Sequence, residues 1–209
     1  YRNELDQLPQ YTPGALIEDI KAQYNLDKIV KLASNENPCG SSVDIADVAN
    51  KVSSERYPDS RAKLLCQKIA NLYTVSESNV ICGNGSDELM QLLGLTFLEP
   101  GSNIITADLT FSEYEFVASL MGAETIKVPV KNNGYDLDGL LESMNKQTKM
   151  VFIANPNNPT GTILDHSQIE SFLTRVPSHI MVVLDEAYIE YAVSTLSPKT
   201  TELIHRFPN

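Results

Sequence analysis

The stretch MVFIANPNNPTGT, from Met150 to Thr162, carries the strongest fold signal in the sequence. Its first residues, MVFI, form a continuous apolar run that predicts a buried strand. The nine residues that follow, 154–162, contain three Asn and two Pro. Proline lacks the N–H that helices and sheets require, so we expect the strand to end here in a stiff loop that presents amides. The question is what such a loop holds.

Short apolar runs alternate with helical patterns through the rest of the chain. The predicted strands are Asn79–Cys82, Asn103–Thr106, Glu124–Val128, Lys149–Ala154 and Ile180–Leu184. The predicted helices are Val43–Ser53, Ser60–Tyr73, Asp87–Leu98, Ser112–Met121, Leu137–Asn145 and Asp165–Arg175. Strands that alternate with helices predict an α/β fold with a mostly parallel sheet. Residues 1–42 are polar and broken by prolines, which predicts an arm with one helix from Ala15 to Tyr24, ahead of a domain in residues 43–209.

Composition and charge exclude several classes of function. The chain has 209 residues and a net charge of −11, and it contains no cluster of Lys and Arg, so we expect no nucleic-acid surface. The longest apolar runs, such as Ile180–Leu184, are too short to span a bilayer, and no signal peptide is visible at the start. The three cysteines are widely spaced. This pattern favours a reducing cytoplasm over a disulfide framework or a metal site.

Ligands of parallel α/β sheets bind beyond the carboxyl ends of the strands, so each strand end is informative. Gly85 and Ser86 suit either a phosphate site or a tight turn before a helix. Phe111 suits either stacking on a planar ligand or a place in the core. Asn158 is either an amide donor or a turn residue. Asp185 either pairs with a cation on a ligand or serves as a cap or internal ion pair.

Taken together, these four strand ends predict one ligand. A phosphate cradle, a stacking ring, an amide donor and a carboxylate would meet at one edge of the sheet. A planar, phosphorylated and protonated heteroaromatic molecule satisfies all four groups. Pyridoxal phosphate (PLP) is such a molecule, and a carboxylate at its ring nitrogen keeps the ring cationic.

Five motifs also resemble those of a known family. They are LASNENP (32–38), RYPD (56–59), GNGSDE (83–88), ANPNNPTGT (154–162) and VVLDEAYIEY (182–191). In this order they resemble fold-type I PLP-dependent aminotransferases, and most closely the histidinol-phosphate aminotransferase family. The resemblance implies a three-layer α/β/α large domain, a cytoplasmic homodimer, and amino-group exchange between L-histidinol phosphate and 2-oxoglutarate in histidine biosynthesis. A related aromatic aminotransferase or threonine-phosphate decarboxylase is the alternative within the same fold.

The resemblance also assigns roles to single residues. It implies cofactor contacts for Gly85, Ser86, Asp87, Phe111, Asn158, Asp185 and Tyr188. Ser86 would hold the phosphate, Phe111 would stack on the ring, and Asp185 would pair with the ring nitrogen. Asn158 and Tyr188 would donate to the phenolic oxygen. Tyr57 would reach the phosphate in the neighbouring subunit, and the substrate side would include Tyr11, Asn35 and Glu36.

One residue of the family pattern has no counterpart in this sequence. The family's Schiff-base lysine lies in a Ser-Lys stretch one strand beyond the DEAY motif. Here only Lys199 follows Asp185, and we expect it to be an exposed loop lysine. The resemblance therefore predicts the N-terminal part of a larger enzyme, with a large domain that is incomplete at its C-terminus and is inactive alone. The alternative of another class is a truncated product that binds PLP weakly or pairs with a full-length subunit.

Overall fold

The computed structural model describes Leu8 and residues 15–32, 34–193 and 198–209. Contacts among the described residues separate two compact units, one within Pro9–Ser60 and a larger one within residues 61–209.

The smaller unit contains two helices, α1 (Ile17–Tyr24) and α2 (Ile45–Ala49). The helix predicted over residues 15–24 is confirmed. The helix predicted over residues 43–53 is shorter at both ends. Its start is fixed by Asp44, whose carboxylate accepts from the backbone N–H groups of the first turn.

The larger unit is built on a four-stranded parallel sheet. Its strands are β1 (Asn103–Ala107), β2 (Glu124–Val128), β3 (Thr148–Ala154) and β4 (Met181–Asp185). They lie side by side in the order β2-β1-β3-β4. The predicted parallel sheet is therefore confirmed, with four of the five predicted strands in it.

Helices cover both faces of this sheet. They are α4 (Gly85–Phe97), α5 (Glu113–Leu120), α6 (Leu137–Glu142), α7 (His166–Leu173) and α8 (Thr200–Leu203), while α3 (Lys63–Tyr73) packs against residues 77–79. Side chains alternate along β3, so Met150 and Phe152 pack with the core beneath α4 and α5. Val151 and Ile153 pack with the core on the opposite face, beneath α6 and α7. The predicted three-layer α/β/α arrangement follows from this alternation.

Two local features set the positions of the helices. Helices α4 and α5 approach closely at Gly94, where an added Cβ atom would lie 2.5 Å from Val117 Cγ1. Helix α7 begins at the predicted cap: Asp165 Oδ1 accepts from the Gln168 backbone N at 2.9 Å, and Gln168 Oε1 accepts from the Asp165 backbone N at 2.9 Å.

The strand predicted over Asn79–Cys82 is wrong. Glu77–Asn79 instead form a short 3₁₀ helix, Val80 after it is extended, and residues 80–82 belong to no strand. A strand needs hydrogen bonds from a neighbouring strand, and the sheet places none beside this segment among the described residues. The outer edge of β4 contacts Asn209 instead, whose backbone O accepts from Val182 N at 2.8 Å.

The described residues also bear on two further kinds of feature, membrane-spanning helices and metal sites. None of their helices has the length and apolar character needed to cross a bilayer. Across the same described ranges, no group of three or more His, Cys, Asp and Glu side chains is placed to hold a metal ion.

Candidate active site

A cleft lies at the carboxyl ends of β3 and β4. It is lined by Ser86, Phe111, Ala154, Pro156, Asn158, Asp185, Ala187 and Tyr188. Five of these residues are candidate site residues from the sequence, namely Ser86, Phe111, Asn158, Asp185 and Tyr188. The structure thus brings the ends of β1, β3 and β4 together with the start of α4, although the segment before α4 is not a strand.

Other predicted residues lie elsewhere. Gly85 and Asp87 flank Ser86 in the first turn of α4 and do not line the cleft. Tyr57, in the smaller unit, is fully exposed.

The predicted substrate-side residues belong to the smaller unit or are undescribed. Asn35 is exposed and has a positive φ of 50°. Glu36 is also exposed, and its Oε1 accepts from Lys31 Nζ at 2.7 Å. Tyr11 lies outside the described residues.

The Asp185 carboxylate is held on both oxygens. Its Oδ2 accepts from the Tyr114 hydroxyl at 2.7 Å, and its Oδ1 accepts from the Ala187 backbone N at 3.0 Å. Its backbone O accepts from Asn155 N at 2.8 Å, which ties the end of β4 to the end of β3. An ionised carboxylate has about four acceptor sites, so capacity remains for a donor on a ligand.

Tyr114 is a site residue that sequence reasoning missed. It is fully buried in α5, its ring stacks on Phe152 at 4.8 Å, and the ring of Phe111 meets it edge to face at 5.7 Å. Burial, and then the nearby negative charge of Asp185, raise the pKa of the Tyr114 phenol far above its usual value. The phenol therefore stays protonated and donates. The available signal was the position of Tyr114 in the first turn of the predicted helix that follows Phe111.

The three Asn residues of the opening loop have different tasks. Asn155 exchanges two hydrogen bonds with the backbone of Leu164, at 3.1 and 2.7 Å. Asn157 donates to Leu109 O at 3.1 Å and accepts from the Thr110 hydroxyl at 2.8 Å, so it joins two strand-end loops. The Asn158 side chain lines the cleft and makes no hydrogen bond to the described residues. The side-chain amides of Asn155 and Asn157 thus stabilise the loop, and that of Asn158 is available to a ligand.

The first turn of helix α4 lies at the same cleft, which Ser86 lines. Gly85 has a φ of +79°, a conformation that favours glycine, and an added Cβ atom there would meet nothing within 4 Å. The Asn84 side chain does not cap the first turn of α4, and Glu88 Oε2 accepts from the Asn84 backbone N. The free backbone N–H groups of such a turn attract anions. Burial, and then the nearby negative charge of Asp87, raise the pKa of Glu113.

Known proteins are similar to this chain in sequence and in fold. The family model "Aminotransferase class I and II" matches residues 12–207. A histidinol-phosphate aminotransferase from Geobacillus sp. (strain WCH70) is 43% identical over 210 residues, which cover 100% of this chain and 58% of that protein. One from Geobacillus thermodenitrificans (strain NG80-2) is 43% identical over 208 residues, 99% of this chain and 57% of that protein.

A solved structure has the same fold. The histidinol-phosphate aminotransferase from Sinorhizobium meliloti, in complex with pyridoxal-5'-phosphate, superposes with a TM-score of 0.83. It is 24% identical, and the match covers 95% of this chain and 54% of that one. The chain thus spans little more than half the length of the relatives that it matches. Because the family model takes in residues 12–207, the chain belongs to the class I and II aminotransferases.

Proposed function

We propose that the protein of which this chain is all or part is a PLP-dependent aminotransferase that acts on L-histidinol phosphate and 2-oxoglutarate. The observation that carries the reaction class is the cleft in which Asp185, Asn158 and Phe111 meet. The choice of substrate is supported by relatives that bear this activity in their name and are 43% identical along the chain.

The residues of the cleft fit the cofactor. Asp185 keeps acceptor capacity for a ring N–H, and Phe111 offers an aromatic face whose edge contact with Tyr114 fixes its orientation. Asn158 supplies an amide without a competing partner in the described part of the chain. Neither Lys nor Arg lines the described cleft, so the amides and hydroxyl at the start of α4 are the groups on this chain that would meet the phosphate.

Bound PLP supplies an electron sink for the charge that forms when the substrate loses its α-proton. The residues of the chain position and polarise that sink. Asp185 would hold a positive charge at the ring nitrogen, and Tyr114 donates to the Asp185 carboxylate and fixes its orientation. Asn158 and Tyr188 would donate to the phenolic oxygen, and Phe111 would stack on the ring and exclude water there.

The family's lysine has no counterpart in the printed sequence. Lys199 is exposed, and its Nζ lies 3.6 Å from Glu202 Oε1, away from the cleft lining. We therefore propose that the 209-residue chain has no transaminase activity alone. Reduction of the PLP-incubated chain with borohydride, followed by peptide mapping, tests this. One stoichiometrically labelled lysine together with turnover of histidinol phosphate would contradict it.

The substrate is tested with the full-length product of the gene that encodes this chain. Its kcat/KM should be higher for histidinol phosphate than for phenylalanine, with 2-oxoglutarate as acceptor. A preference for phenylalanine would identify an aromatic aminotransferase. Release of carbon dioxide from threonine phosphate would identify a decarboxylase, and either result would reject the proposed substrate.

We also propose a cytoplasmic homodimer in which Tyr57 reaches the phosphate of the neighbouring site, while Asn35, Glu36 and Tyr11 serve the substrate side. The full exposure of Tyr57 within its own chain is compatible with a partner contact. Mixed dimers of a Tyr57→Phe subunit with a lysine-deficient subunit test this role. Equal cofactor affinity in both arrangements of the two substitutions would show that Tyr57 acts within its own chain.

A further inference from the structure

Two of the three cysteines lie next to each other in the larger unit. Cys66 lies in α3 and is 8% exposed, and Cys82 is a partly exposed residue directly before Gly83. Their sulfur atoms are 3.6 Å apart. The third cysteine, Cys39, is exposed and belongs to the smaller unit.

The Cys66 thiol is also the point where α3 meets the segment before the cleft. Its Sγ donates to the carbonyl O of Arg61 at 3.4 Å and lies 3.9 Å from the carbonyl O of Val80. Residues 80–84 belong to no strand in the structure. The sulfur separation of 3.6 Å must shorten by about 1.5 Å to reach the bond length of about 2.05 Å.

We propose that Cys66 and Cys82 are a redox modification site that forms a reversible disulfide. The oxidant is a low-molecular-weight disulfide such as oxidised glutathione. The more exposed Cys82 thiolate attacks one sulfur of the oxidant, and one glutathione thiolate leaves. The Cys66 thiolate then attacks the Cys82 sulfur, and the second glutathione thiolate leaves. Two cysteine thiols are oxidised, one glutathione disulfide is reduced, and the two protons pass to the two glutathione thiolates.

The bond would fix the segment that leads into the start of α4. Cys82 is followed directly by Gly83, and Ser86 lies four positions after Cys82. Oxidation would therefore tie the start of α4 to α3. This consequence for the cofactor rests on the proposed function, whereas formation of the bond does not.

The test uses the native chain incubated with oxidised glutathione. Peptide mapping should find Cys66 joined to Cys82, while the exposed Cys39 forms a mixed disulfide with glutathione, so titratable thiols should fall from three per chain to none. Cys39→Ser is the matched control, because it should still lose two thiols, from a starting count of two. Cys66→Ser and Cys82→Ser should form only mixed disulfides with glutathione.

A second experiment distinguishes a disulfide that depends on the folded structure from random pairing of the cysteines. In concentrated urea the three cysteines should pair without preference for Cys66 and Cys82. A native chain that keeps both thiols, or that pairs either of them with Cys39 as readily as with each other, would overturn the proposal. Loss of the thiols in the native chain with no aminotransferase activity in the full-length protein would reject the proposed function and leave the disulfide standing.

Discussion

Strands β3 and β4 lie side by side and have similar sequences, but their surroundings differ. They pair in register from Met150 opposite Met181 to Ala154 opposite Asp185. In β3, Met150 to Ile153 are buried completely or nearly so, whereas every residue of β4 is partly exposed. The reason is that β3 has a strand on each side, while β4 has β3 on one side and, within the described residues, only Asn209 on the other. An apolar run therefore predicts a strand, but its neighbours decide how deeply the strand is buried.

The largest expected effect tests this difference directly. Phe152 and Val183 are opposite each other and pack in the same core. Phe152→Ala should lower the free energy of unfolding by about 3–5 kcal/mol, because it leaves a cavity beside Tyr114. Val183→Ala should lower it by about 1 kcal/mol, since it removes less apolar surface from a partly exposed position. Urea unfolding of the purified chain measures both, and equal losses would show that β4 is packed as tightly as β3.

The next effect concerns the last residue of β4. In the full-length gene product, Asp185→Asn should reduce kcat on the order of 100-fold, because the ring loses its charge partner while the phosphate contacts remain. The cofactor should stay bound after dialysis, as followed by its absorbance. Asp108→Asn is the matched control, because Asp108 follows β1 and accepts from Val130 N at 3.0 Å, and it does not line the cleft. Near wild-type turnover of Asp185→Asn would refute the proposed pairing with the ring nitrogen.

The sequence predicted those parts of the fold that depend on local patterns. The apolar runs placed β1 to β4 within about two residues of their observed bounds, and the capping signal placed the start of α7. The meeting of Phe111, Asn158 and Asp185 followed from a general rule on parallel sheets and not from any single motif.

The remaining features depend on tertiary partners that no local pattern contains. Residues 79–82 have a strand-like composition, but the structure places no strand beside them. The sequence also did not show that Asn157 and Asn158 have different roles. They are adjacent residues of the same type, and Asn157 is structural only because Leu109 and Thr110 lie within hydrogen-bond distance of its side chain. Tyr114 was missed because its contact with Asp185 spans 71 positions of the chain.

A smaller effect should follow from the Tyr114 hydroxyl, which links the buried core under β3 to the exposed end of β4. Tyr114→Phe keeps the ring on Phe152 but removes the hydrogen bond to the Asp185 carboxylate. The free energy of unfolding should fall by about 2 kcal/mol, since hydrogen bonds to charged groups contribute about 1.5–3 kcal/mol.

Tyr135→Phe is the control variant. It distinguishes the loss of the hydrogen bond between Tyr114 and Asp185 from the loss of any buried hydroxyl. The Tyr135 hydroxyl accepts from Ala154 N at 2.9 Å, near the same sheet edge, and no hydrogen bond joins it to Asp185. In the full-length protein, only Tyr114→Phe should change the absorption spectrum of the bound cofactor. The same spectral change in both variants would show that Tyr114 has no specific role in positioning Asp185.

The smallest expected effect is the pH dependence of stability at Glu186, the residue that follows β4. Burial raises the pKa of the Glu186 carboxyl above its ordinary value of 4.5, against the opposing hydrogen bond from the Thr200 hydroxyl, which is 2.6 Å long. Because the folded state holds this proton more tightly than the unfolded state, its contribution to stability is complete below pH 4.5 and is lost as the pH rises through the raised pKa. The neutral side chain of Glu186→Gln does not undergo this loss.

The difference between Glu186→Gln and the wild type isolates this one titration from all others. The variant should gain unfolding free energy relative to the wild type as the pH rises from 4.5 through the raised pKa of Glu186, as measured by urea unfolding at each pH. Gln keeps an oxygen that accepts from Thr200, so the hydrogen bond at the end of β4 is preserved. Glu124→Gln, which replaces a carboxylate at an exposed position at the start of β2, is the matched control. If the difference between Glu186→Gln and the wild type were constant with pH, the carboxyl would titrate alike in both states, and the end of β4 would be as open to water as the start of β2.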